Sequence, residues 1–254
     1  MQGYVMLSAM PPIFVISLAR ETERRAAMQR ELADFEFEFF EAVDGDRLGE
    51  SDCQHRLHAE WWRVIRGRQL SPGEIGCFLS HYGLWQRLVE ARTPCALILE
   101  DDARLEDGFA IIVEEILKAD VEWDIVNLAP KRRYRVDRML AALDGVRWLV
   151  RYRRRFGGAV GYLIRLEAAE ALLHYCWRIR APIDWLYAEW WQNGLTYLAV
   201  DPAIVTHAGV SSTIKTKPKV KRTVVEHSAA AFYRLGDRLH RHAVRNSKRG
   251  ASHD

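Results

Sequence analysis

The chain has 254 residues, a net charge of +3, 49% apolar and 28% charged residues, a composition that describes one large globular domain or two small ones and excludes a disordered chain. No stretch reaches the ~18 consecutive apolar residues that a membrane span requires. Cys53, Cys77, Cys95 and Cys176 are widely spaced with no C-x-x-C pair, which argues against a zinc ribbon and for a reducing compartment.

The opening "MQGYVMLSAMPPIFVISLAR" lacks a charged start, and Pro11-Pro12 interrupts its apolar run, so it does not read as a signal peptide. The expectation is a soluble, cytoplasmic protein. "IFVISLAR" (13–20) is short, apolar and β-branched, the pattern of a buried strand. "ETERRAAMQRELADF" has helical composition with Ala27, Met28 and Leu32 on one face, and "FEFFEAVDG" alternates before the Asp44-Gly45 turn signal. Strand, helix, strand is the unit of a parallel sheet.

In "CQHRLH", Cys53, His55 and His58 have a metal-like spacing, but no second ligand pair matches it. "SPGEIGCFLSHYGLWQRLVEA" starts with Ser71-Pro72 and continues at helical spacing. "CALILE" is a third strand, "GFAIIVEEILKA" a helix and "WDIVNLA" a fourth strand. After the basic cluster and glycines of "RYRRRFGGAVGYLI" comes another strand. "RLEAAEALLHYCW" and "APIDWLYAEWWQNG" then read as helices, the second beginning at Asp184, and "LTYLAVDPAIVTHAG" as two short strands. The alternation predicts an α/β domain with a mostly parallel central sheet over 1–214. Residues 215–254 form a basic tail, helical or partly disordered; from Lys215 to Arg249 only Glu226 and Asp237 oppose the lysines and arginines. Such a tail suits an anionic membrane surface or nucleic acid, or is simply solvated. No helix-turn-helix, RRM or zinc-finger pattern accompanies it, so nucleic acid is not expected.

One stretch asks for an explanation. In "PCALILEDDARLEDGF" an apolar strand runs straight into Glu100, Asp101 and Asp102. Ligands of open α/β sheets bind at the carboxyl ends of strands, and a divalent cation takes oxygen ligands there. Capping of a turn by aspartate is the structural alternative.

Taken in order, "VISLARETERR", "FFEAVDGDRL", "LSPGEIGCFLSHYGLWQRLVE" and "ALILEDDARLEDGF", followed by "GYLIRLEAAEALL" and "PIDW", resemble glycosyltransferase family 25, the enzymes of lipopolysaccharide and lipooligosaccharide assembly and of collagen galactosylation. The resemblance spans roughly residues 13–214; Ile183 stands where valine is expected, and "GGAVGY" is a variant of a glycine-rich segment. It implies a GT-A type fold, a UDP-galactose or UDP-glucose donor, Mn²⁺ or Mg²⁺, and a glycan acceptor, lipid-linked in the bacterial case. The basic tail and "RYRRRF" (151–156) would then face the inner leaflet of the plasma membrane, for an enzyme that is cytoplasmic or peripheral there.

The E-D-D would then act as the family's D-x-D motif, with Asp102 the main metal ligand. Glu100 would be a second ligand or a supporting group, and Asp101 would meet the ribose or donor sugar. His207, ending a late strand, is the candidate for a further metal ligand. Ser17, Leu18, Arg20 and Arg24, with Arg25 as an alternative, would hold the nucleotide, Asp44 and Gly45 would edge its pocket, and Glu74 and His81 would shape the donor site. Inversion at the anomeric carbon needs a general base, for which Asp184 is the candidate and Glu189 the reserve. The competing reading is an inactive glycan-binding protein of the same fold.

Overall fold

The computed structural model of the chain describes residues 10–49, 53, 56–130, 134–208 and 220–250. It opens with β1 (Ile13–Ser17), α1 (Thr22–Glu31) and β2 (Phe37–Glu41), and β2 pairs parallel to β1 along its whole length. On its other side β1 pairs, again parallel, with β3 (Cys95–Glu100). All five residues of β1 are buried, as expected where helices cover both faces of a strand.

The two-residue period of the strands divides the interior into two cores. Phe14, Ile16, Ala96 and Ile98 face one; Ile13, Val15, Leu97 and Leu99 face the other. The first core is roofed by α3 (Pro72–Glu90) and α5 (Leu166–Tyr175), through Phe78, Leu84, Trp85 and Leu172. The second is roofed by α1, through Met28, and α4 (Phe109–Lys118), through Phe109, Ile112, Val113 and Ile116. Each such side chain contributes about 1.5–3 kcal/mol on burial.

Five further strands complete an eight-stranded sheet: β5 (Ile125–Asn127), β6 (Val136–Ala142), β7 (Trp148–Tyr152), β8 (Gly161–Arg165) and β9 (Tyr197–Asp201), in the order β2-β1-β3-β8-β5-β9-β7-β6. Following the ladders across the sheet, only β7 and β8 run against the others. The α/β architecture with a mostly parallel sheet is therefore as expected. A second, two-stranded sheet joins β4 (Ala103–Leu105) to β10 (Val205–His207).

Two differences from the sequence reading stand out. An unexpected helix, α2 (Ala59–Arg66), buries Trp62 and Ile65. The single helix expected to begin at Asp184 and run through "WLYAEWWQNG" is two, α6 (Ile183–Tyr187) and α7 (Trp190–Asn193), and the break falls at Ala188 and Glu189. Of the residues considered for a metal in "CQHRLH", Cys53 is buried and His58 exposed, while His55 lies outside the described residues. The described part of the tail carries α8 (Val224–Gly250), which packs against α2 and α7. No described helix is long and apolar enough to cross a membrane.

Candidate functional site

Because β1 and β3 are adjacent and parallel, their carboxyl ends open at one edge of the sheet. An open cleft of about 160 Å³ lies there. Ser17, Leu18, Arg20, Arg24, Asp44, Gly45, His81, Glu100, Asp101 and Asp102 line it together. Glu74, Asp184, Glu189 and His207 stand outside that lining.

Glycines set how closely the cleft walls meet. A Cβ on Gly76 would sit 2.6 Å from the Val43 carbonyl oxygen, and one on Gly45 would overlap the Pro72 carbonyl. The first turn of α3 thus rests directly on the "AVDG" segment, and Ser80 of α3 accepts the Val43 N–H at 2.8 Å. Arg20 and Asp44 pair across the mouth, while Arg25 turns away to Glu41 and the Ser17 carbonyl. The Ser17 and Leu18 carbonyls also accept the Ala42 and Glu21 N–H groups, so their acceptor capacity is largely taken within the fold.

The three carboxylates point in three directions. Asp101 accepts from Ser17 Oγ and from Arg24 Nη1, each at 2.8 Å. Burial nevertheless holds its pKa above the usual aspartate value. Asp102 faces His207 Nδ1, 3.5 Å from its Oδ2. Burial works against this carboxylate too, but His207 outweighs it and holds the pKa below the usual value. The pairing is set by the backbone: β10 lies antiparallel to β4 with His207 opposite Ala103, and the Ala208 N–H donates to the Asp102 carbonyl at 2.8 Å.

Among the described residues, two buried polar atoms at this point have no hydrogen-bond partner: Asp102 Oδ1 and Arg24 Nη2. One is an acceptor suited to a cation and the other a donor suited to an anion, on residues that line the same cleft. Unpaired buried polar atoms cost stability, so their coexistence at a pocket marks a site. Asp102 and His207 offer a carboxylate oxygen and an imidazole nitrogen, a set that fits Mn²⁺, and Mg²⁺ through the carboxylate.

Glu100 is not brought to that pair. It turns to α3, 3.6 Å from Cys77 Sγ and 3.4 Å from His81 Nε2, and His81 Nδ1 meets the buried Tyr162 hydroxyl at 2.8 Å. Cys77, His81 and Glu100 converge as a metal-binding group would. Burial and the charges of Glu100 and Asp184 push the Cys77 thiol well above its usual pKa, however, which makes it a poor thiolate donor. The expected metal set is therefore split in two, and the harder half, Asp102 with His207, suits the hard cation. Cys77 is among the lining residues that the sequence reading left without a role; its i, i+4 spacing to His81 was the available signal.

Asp184, in α6, accepts the Gly158 N–H at 3.0 Å, and a Cβ on Gly157 would lie 2.7 Å from its Oδ2. The Gly157-Gly158 pair thus lets the backbone close over this carboxylate, which lies near enough to Cys77 to act on its pKa. The other two expectations look structural. Glu74 forms a capping box with Ser71 and a bidentate pair with Arg68 at 2.7 Å. Glu189 is buried and held by Arg155, Arg180, Tyr175 and Trp185.

Comparison with known proteins adds to this geometry. A family model described as "Glycosyltransferase family 25 (LPS biosynthesis protein)" matches residues 10–187. A glycosyltransferase 25 family member of Anopheles gambiae is 36% identical over 170 residues, 63% of this chain and 28% of that protein. Procollagen galactosyltransferase 2 of Homo sapiens is 34% identical over 171 residues, 63% of this chain and 27% of its own. An inactive glycosyltransferase 25 family member 3 of Mus musculus is 36% identical over 129 residues, 47% and 22% of the two chains. The chain thus spans about a quarter of the length of these relatives. A solved glycosyltransferase involved in glycosylation of the major capsid of PBCV-1 aligns over 80% of this chain and 95% of its own, at 12% identity and a TM-score of 0.43.

Proposed function

The chain belongs to glycosyltransferase family 25, and from that premise we propose that it transfers a hexose, galactose or glucose, from a UDP-sugar to a glycan acceptor of the lipopolysaccharide or lipooligosaccharide type, on a GT-A type fold and with inversion. The observation that supports this reading is the pair of unpartnered polar atoms, Asp102 Oδ1 and Arg24 Nη2, at the cleft beyond β1 and β3. Asp102 and His207 would hold Mn²⁺ or Mg²⁺. When bound, the cation offsets charge that develops on the departing diphosphate.

The chain's own residues do the rest. Arg24, anchored by Asp101, presents its free N–H to a diphosphate oxygen. Asp101 is turned by Ser17 and Arg24 toward the donor side, where the ribose or sugar hydroxyls would lie. Asp44 and Gly45 edge the nucleoside. Asp184 takes the proton of the attacking acceptor hydroxyl at a carboxylate oxygen, with the Gly158 N–H fixing its direction. His81 and Glu100 shape the donor side as a rigid hydrogen-bonded pair.

The test is UDP release from a panel of UDP-sugars with Mn²⁺ and with EDTA. Slow release from one donor, abolished by EDTA, is expected. Absence of release, together with no calorimetric binding of UDP with Mn²⁺, would sink the reading. Binding without release, even when acceptor is supplied, would favour the second reading, a catalytically inactive glycan-binding protein of the same fold; one relative is named inactive.

A further inference from the structure

The corner where α2 meets the start of α8 is basic without being paired. Arg66, the last residue of α2, lies over the rings of Trp62 and Trp185, its Cζ 5.5 and 4.9 Å from their centroids. Burial first, and then the charges of Arg68, Arg155 and Arg234, hold its pKa below the usual arginine value. Arg68 is satisfied by both oxygens of Glu74, and Arg155 by Glu189. Arg66 and Arg234 have no carboxylate partner among the described residues.

An open cleft of about 410 Å³ lies at this corner, lined by Arg66, Gly67, Val220, Lys221, Arg222 and His227. Three of the six are cations and none is a carboxylate. Its walls are set by the backbone. Gly67 ends α2 at a φ of 71°, the Val220 N–H donates to the Gly67 carbonyl at 2.7 Å, and Arg222 Nη1 donates to the Val64 and Ile65 carbonyls at 3.0 and 3.3 Å. The carboxylate of Glu226, at the start of α8, is already taken by Arg63 and the Thr223 N–H. Like charges gathered at a preformed cleft, with the local acid committed elsewhere, are stabilised by an anion.

Trp185 links this corner to the candidate base. It follows Asp184, and these two are the only residues of α6 that are not buried. We propose that the cleft of Arg66, Lys221 and Arg222 is a subsite for a phosphate group on the acceptor glycan, which runs from Asp184 across Trp185 to Arg66. Three cations around one cleft suit the several oxygens and near-double charge of a phosphate monoester better than the single charge of a carboxylate. That the phosphate belongs to an acceptor rests on the proposed transfer reaction; that a phosphate binds here does not.

The experiment is calorimetric titration of the full chain, without UDP or metal, with galactose 6-phosphate and with galactose. The sugar phosphate is expected to bind at least about tenfold more tightly than the neutral sugar. Arg66→Gln removes most of that advantage, and Lys221→Gln lowers it about threefold. Both side chains are exposed, so circular dichroism stays at the wild-type values. Equal binding of the two sugars, or binding of neither, overturns the proposal. So does an advantage that survives Arg66→Gln. An advantage lost in Arg24→Gln instead places the phosphate in the donor cleft and overturns it as well. Phosphate-dependent binding through Arg66 in a chain that neither binds UDP nor releases it would support the subsite while removing the transfer reading.

Discussion

Glu189 and Asp102 are both carboxylates drawn out of water, and they make opposite use of their surroundings. Glu189, 2% exposed, is met by Arg155 and Tyr175 at 2.7 Å, Trp185 at 3.1 Å, Arg180 at 3.3 Å and Tyr233 at 3.4 Å. Every lone pair has a donor. Asp102 has one oxygen near His207 and the other without a partner among the described residues, at the edge of a cleft. A saturated carboxylate ties segments together; an unsaturated one at a pocket holds capacity for something that binds. Glu189 joins the β7–β8 connection, α5, α6 and α8, whereas Asp102 closes nothing but the short β4–β10 ladder.

The largest expected effect breaks the saturated member. Glu189→Gln removes the buried anion between Arg155 and Arg180, leaving Arg155 only the 3.5 Å contact with Asp237 and the partly exposed Arg180 with no carboxylate among the described residues, a loss of about 3 kcal/mol. At about 2–4 °C per kcal/mol for a chain of this size, thermal unfolding should begin roughly 10 °C lower. UDP binding measured below that transition should stay near the wild-type value, because Glu189 does not line the cleft. An unchanged melting temperature would refute the contrast from this side.

The converse holds for Asp102→Asn. Turnover of the UDP-sugar should fall about a hundred- to a thousandfold, while stability changes by less than about 1 kcal/mol, since the charged groups that lose an interaction among the described residues are the exposed His207 and, without a direct hydrogen bond, Arg24. A large stability loss with intact turnover would make Asp102 a second Glu189.

How much of this contrast could be read in the chain depends on how local each part is. The E-D-D was legible because strand, carboxylates and cleft edge are consecutive residues. The i, i+4 spacing of Cys77 and His81 was present in the sequence but was not used, and the buried pair His81–Tyr162 joins residues 81 apart. The His207–Asp102 pairing follows from the β4–β10 register, which residue spacing alone does not specify. The role of Glu189 was not legible at all. Its partners come from positions 155, 175, 180, 185 and 233, and drawing them together interrupts a segment whose composition reads as one continuous helix. The hairpin β6–β7 and the helix α2 were missed for a related reason, since both are stabilised by what they pack on rather than by start and stop signals of their own.

A third carboxylate offers the finest test, because it is satisfied like Glu189 yet lies at the surface. Glu226 accepts the Thr223 N–H at 2.8 Å, its own N–H donates to Thr223 Oγ1 at 3.2 Å, and Arg63 of α2 pairs with its other oxygen while also holding Glu60. The Thr223 backbone first, then Arg63, hold its pKa below the ordinary 4.5. A carboxylate lowered on folding stabilises the folded state above its unfolded value and loses that contribution as pH falls through the folded one. Protection of the first-turn amides of α8 against hydrogen exchange should therefore be constant above about pH 4.5 and decline below it. Glu226→Gln should show the lower protection already at neutral pH and little change on acidification, because the amide keeps the capping geometry but not the charge. If wild type and variant lose protection in parallel, the acid response belongs to other groups. Saturation at the surface would then contribute nothing measurable, and burial rather than the number of partners would be what separates Glu189 from the carboxylates of the cleft.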